Sequence, residues 1–137
     1  MDETLLYYPG MPEEETEQPD EMLNTPPQGP RKVLLLAVDL GKYDAERSLQ
    51  ELAALAEAND MEPVAEVVQK RAKPDAATVI GTGRLAEAKM LAQNLLAQVA
   101  IFDGELTGSQ IRNLENHLKI AVYDRTMLIL EIFARRA

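Results

Sequence analysis

A chain of 137 residues holds one domain of ordinary size with its own core, and is too short for two domains and a linker. Apolar residues make up 46% of it and aromatics only 4%, so the core is built from Leu, Ile, Val and Ala, which favours α/β packing over an aromatic-rich sandwich; the absence of cysteine excludes a disulfide framework and thiolate metal sites. The formal charge of −9 argues at face value against a nucleic-acid partner.

The distribution of that charge reverses the argument. Residues 1–30 hold eight of the 23 acidic side chains and no Lys or Arg, so residues 31–137 carry all 14 cations against 15 anions, a formal charge of −1. The same first thirty residues contain Pro9, Pro12, Pro19, Pro26, Pro27 and Pro30, a composition that buries too little apolar surface to offset chain entropy. A disordered acidic tail is therefore expected over 1–30, with Leu5, Leu6, Tyr7 and Tyr8 as its only docking candidates, and one α/β domain over 31–137. No apolar run approaches the roughly 20 residues of a membrane span or resembles a signal peptide, so a soluble intracellular protein is expected.

After Arg31 and Lys32, the run Val33 to Val38 reads as a strand buried on both faces. Asp44 is placed to cap a helix with Leu49, Leu52, Ala53 and Ala56 on one face. Val64 to Val68 reads as a second strand, half exposed at Glu66 and near a sheet edge. Gln69 to Ala76 is polar, and Pro74 stops any ladder there. Thr78 to Ile80 reads as a short third strand, entering Gly81-Thr82-Gly83-Arg84 and then a helix with Leu85, Ala88, Ala92 and Leu95 on one face. Val99 to Phe102 is a fourth strand, and Thr107 with Gln110 a capping box for a helix carrying Ile111, Leu114 and Leu118. Ala121 to Tyr123 is a fifth strand. Thr126 to Arg136 is read as a helix, although its apolar density also suits a strand. This alternation implies a mainly parallel sheet of four or five strands with helices on both faces. The last residues, Ala134 to Ala137, supply no Gly stop, as expected of a piece of a longer protein.

Catalytic chemistry has few carriers. The single histidine, His117, lies on a helix without a metal-spaced partner and reads as a surface residue, and no catalytic or metal-binding residue is assigned. The P-loop pattern G-x-x-x-x-G-K-[ST] does not occur. Gly81, Thr82 and Gly83 form a strand-to-helix turn that is the candidate anion site, since a helix N-terminus attracts negative charge, although such glycines often serve only a tight turn. Lys70, Arg71 and Lys73 before the short strand, with Arg84 after it, are the candidate nucleic-acid contacts; a solvated loop balanced by Glu66 and Asp75 is the alternative.

Four segments in order carry a resemblance to a known family: Val38-Asp39-Leu40-Gly41-Lys42 with Asp44 to Leu52; Gln69-Lys70-Arg71, Lys73-Pro74-Asp75 and Ile80 to Arg84; Phe102-Asp103, Glu105-Leu106 and Gln110 to Glu115; Asp124-Arg125-Thr126 with Ile129 to Ala137. Over residues 33–137 the chain resembles the N-terminal domain of the HflX GTPases, with Arg84 where that family commonly has Lys. The resemblance implies a cytoplasmic GTPase that binds the large ribosomal subunit and its rRNA and in some members separates subunits under stress. It places GTP and Mg2+ in a G domain that follows a helical segment, both absent from this chain, and makes those domains partners of this one. No cofactor is then expected here, and the fragment itself is not expected to be an enzyme. An alternative role is a nucleotide-binding or G-domain-regulating α/β module.

Overall fold

The computed structural model describes residues 29–136, so almost all of the acidic tail expected over 1–30, including Leu5 to Tyr8, lies outside the described residues. In chain order come β1 (Arg31–Asp39), α1 (Ala45–Ala58), β2 (Met61–Lys70), α2 (Thr82–Leu95), β3 (Val99–Phe102), α3 (Gly108–Leu118), β4 (Ala121–Asp124) and α4 (Arg125–Arg136). The four strands are parallel and lie in the order β2-β1-β3-β4. The chain winds outward from β1 to β2, crosses back over β1 to β3 and continues to β4. Right-handed crossovers then place α1 on one face and α2 and α3 on the other.

Side-chain alternation along β1 divides the core accordingly. Leu34, Leu36 and Val38 join Ala100 and Phe102 beneath Leu85, Ala88, Leu114 and Leu118. Val33, Leu35 and Ala37 join Val99 and Ile101 beneath Leu49, Leu52, Ala56 and Leu128. Six consecutive residues of β1 are buried, as its uninterrupted apolar run requires of a strand covered on both faces. The helix starts follow the sequence: the Asp44 carboxylate accepts from the Arg47 amide at 3.1 Å, and Thr107 and Gln110 form the reciprocal capping box. α4 is a helix, its first turn capped by Asp124, which accepts from the Met127 amide at 2.9 Å.

Three expectations are corrected. Thr78 to Ile80 is not a sheet strand. The Asp75 carboxylate accepts from the Ala77 and Thr78 amides at 2.8 and 3.1 Å, and Asp75 and Val79 exchange both backbone hydrogen bonds, closing a loop in which Val79 takes a φ of 56°. Val79 and Ile80 are nonetheless buried, so their apolar signal marks a plug of the core. β2 runs well beyond Val64 to Val68 and includes Pro63; it accommodates this proline because it is an edge strand and slips register beside it, Val33 facing Pro63 and Leu34 facing Ala65. Leu95, expected on the buried stripe of α2, is exposed in its last turn.

Candidate nucleic-acid interface

The absence of the short strand changes how the basic residues meet. All four candidates gather at the C-terminal end of β2. Lys70 is the last residue of that strand and Arg71 extends its ladder, the Arg71 amide donating to the Asp39 carbonyl at 3.0 Å. The Arg71 side chain folds back, Nε donating to the Lys73 carbonyl at 3.0 Å, so the loop is shaped by one of its own cations. Lys70 and Lys73 are exposed, and among the described residues neither has an acidic partner within 4.0 Å. Arg84 is committed differently: Nη2 donates to the Val68 carbonyl at 3.1 Å and Nη1 pairs with Glu87 at 2.7 Å. It fastens α2 to the edge strand and has less freedom to meet a ligand.

The Gly81-Thr82-Gly83 turn opens α2, with Gly81 as its N-cap and no side-chain cap. The Gly81 amide donates to Gln69 Oε1 at 2.8 Å, which removes it from any anion cradle. A Cβ at Gly81 would lie 2.8 Å from Arg71 Nη1, whereas one at Gly83 would meet open space. The first glycine therefore admits a guanidinium and the second relieves no crowding. His117 is exposed in the last turn of α3.

Doubly wound sheets bind ligands at strand carboxyl ends, where the winding reverses, here between β1 and β3. Those strand ends carry Asp39 and, just past Phe102, Asp103. The Asp103 side chain is only 2% exposed; its Oδ1 accepts from Arg125 Nη2 at 3.0 Å and Nε at 3.2 Å, while Oδ2 has no partner among the described residues. Arg125 also donates to the Ser48 carbonyl at 3.0 Å. Burial pushes the Tyr43 phenol up, and the negative charges of Asp103 and Asp39 push it further, against the opposing charge of Arg125. Asp103 is thus buried in an ion pair with Arg125, and the end of β3 presents no open cationic site for a phosphate. Beside it, at the ends of β1 and β2, lies an open groove of about 430 Å³ lined by Asp39, Leu40, Gly41, Lys70, Arg71 and Ala72. Sequence reasoning missed this groove, because pairing of Asp39 with Lys70 is a matter of strand register.

Residues 46–134 match the family model for the GTP-binding GTPase N-terminal domain. The chain is 41% identical over 106 residues to the GTPase HflX of Caldanaerobacter subterraneus subsp. tengcongensis, covering 77% of this chain and 24% of the relative. It is 37% identical over 118 residues to the GTPase HflX of Chlamydia pneumoniae, covering 80% and 24%. The fold is similar to that of a GTP-binding protein from Sulfolobus solfataricus solved in complex with GDP, at a TM-score of 0.56 and 22% identity, covering 76% of this chain and 30% of that one. The chain thus spans about a quarter of the length of the curated relatives it matches. With the family model matched across most of the described domain and relatives at this identity, the chain belongs to the GTP-binding GTPase N-terminal family and is a domain of the HflX N-terminal type.

Proposed function

We propose that this domain binds RNA on the large ribosomal subunit and serves a cytoplasmic HflX-type translational GTPase that splits or rescues ribosomes under stress. The observation that carries this reading is the gathering of Lys70, Arg71 and Lys73 at the exposed end of one edge strand, with Arg84 anchoring the helix behind them. Affinity for a polyanion grows with each phosphate that such cations neutralise, and a loop held by its own hydrogen bonds presents them with little ordering cost.

Guanine-nucleotide chemistry is assigned elsewhere in the protein. GTP and Mg2+ require a phosphate-wrapping loop with its lysine and hydroxyl, a pattern this sequence lacks. In this reading both belong to a G domain reached through a helical segment, as the resemblance to the HflX GTPases implies, and the match to 24% of the length of one such relative leaves room for it.

The test is co-sedimentation of the chain with large ribosomal subunits across a salt series, comparing wild type with a Lys70→Ala, Arg71→Ala, Lys73→Ala variant. Binding should weaken, and its salt slope should fall by about one for each phosphate that is no longer neutralised. Equal slopes for two folded proteins would remove the cluster from the interface and favour a domain that regulates its neighbours by protein contacts.

A further inference from the structure

The groove beside the basic loop contains a residue that phosphate binding does not explain. Asp39 is the register partner of Lys70 across the β1–β2 ladder, the Arg71 amide is bonded to the Asp39 carbonyl, and all three residues line the groove, so one carboxylate shares it with two cationic residues. A surface that only met phosphates would be weakened by an anion at that point. The two oxygens of Asp39 are not equivalent: Oδ1 accepts from the Gly41 amide at 2.9 Å and holds a turn with a positive φ of 76°, whereas Oδ2 makes no hydrogen bond among the described residues.

We propose that the groove seats one ribonucleotide of an RNA chain, its phosphate against Lys70 and Arg71 and its ribose 2′-hydroxyl donating to Asp39 Oδ2. This rests on the RNA-binding reading above and adds to it the means of telling RNA from DNA. The 2′-hydroxyl and the 3′-phosphate sit on neighbouring ribose carbons, so a site that recognises both needs an acceptor in the same groove as its cations, as Asp39 shares one with Lys70 and Arg71. DNA lacks the donor, and would bring its phosphate against a carboxylate with nothing to offer it.

The experiment measures binding of the full chain to fluorescent single-stranded RNA and DNA of equal sequence and length across a salt series. It compares wild type with Asp39→Asn and with the double variant Lys70→Ala, Arg71→Ala. Asn keeps an oxygen for the Gly41 amide and turns the free acceptor into a donor. Wild type should prefer RNA by about tenfold, the effect of one hydrogen bond to a charged group. Asp39→Asn, which can only donate to the 2′-oxygen and carries no charge, should lower the RNA-to-DNA ratio several-fold with an unchanged salt slope, while the double variant should weaken both ligands and reduce the slope. If Asp39→Asn tightens RNA and DNA equally, Asp39 is only a repelling charge and the inference falls while the RNA-binding reading stands. A free ribonucleoside monophosphate that competes as well as the oligonucleotide would overturn the assignment to an RNA chain. Failure of every protein to bind RNA or ribosomes would overturn the reading beneath it.

Discussion

Arg125, the first residue of α4, lies 3.0 Å from the carboxylate of Asp103 past the end of β3, and its guanidinium also reaches the Ser48 carbonyl of α1. One side chain thus joins two helices and a strand end around a buried charge. Replacing Arg125 with Met would leave the Asp103 carboxylate buried and uncompensated. The expected loss is about 3–5 kcal/mol, the usual cost of breaking such a pair from one side. Urea melts of the variant check it, and an Arg125→Met, Asp103→Asn double variant should recover part of the loss.

Glu131 gives stability a pH dependence. It accepts from Arg31 at 2.8 Å, from Tyr123 at 3.0 Å and from Asn59, tying α4 to the start of β1, to β4 and to the end of α1. Burial pushes its carboxyl up, but the hydrogen bonds from Arg31, Asn59 and Tyr123 and the charge of Arg31 outweigh burial and hold it below the usual carboxylate range. Because the folded pKa lies below the unfolded one, the unfolded state takes up the proton first. The contribution is therefore complete above the unfolded pKa and lost as pH falls through the folded one. Glu131→Gln should cost roughly 1–2 kcal/mol at neutral pH, and the gap between the two proteins should close in melts on the acid side of the ordinary carboxylate range.

The capping box of α3 provides a local test. Thr107→Ala removes the oxygen that receives the Gln110 amide at 3.1 Å, and should lower stability by about 1 kcal/mol. Amide exchange should rise first in the opening turn of α3, while amides of β1 keep their protection.

Arg84 and Lys73 should separate in binding. Arg84 already commits its guanidinium to Val68 and Glu87, so Arg84→Ala should change the salt slope of ribosome binding less than Lys73→Ala does. A larger change for Arg84→Ala in co-sedimentation would show that its present hydrogen bonds yield to the ligand.

What was legible in the sequence was legible for local reasons. The run Val33 to Val38 lacks a polar face, and the oxygens of Asp44 and Thr107 sit at the distance that caps a helix, so each announces its element without help from the rest of the chain. Thr78 to Ile80 misled because apolar β-branched residues report burial, and burial also suits a loop whose hydrogen bonds are met by the Asp75 carboxylate. The same holds at the site. Lys70, Arg71 and Lys73 are neighbours in sequence and could be seen together, whereas Asp39 joins them only through strand register and Arg84 is withdrawn only by packing against β2. Long-range pairing carries no local mark.

The irregular outer strand has a bearing on how copies of the protein treat one another. β2 lies at an edge of the sheet, contains Pro63, carries an extra residue at Val64 and exposes Glu62 and Glu66. A second molecule adding a strand there would find a missing N–H, a backbone kinked out of register and two negative charges to bury. That border resists cross-β stacking, so crowding in a cell or a concentrated solution is least able to start aggregation along the strand that bears the basic loop.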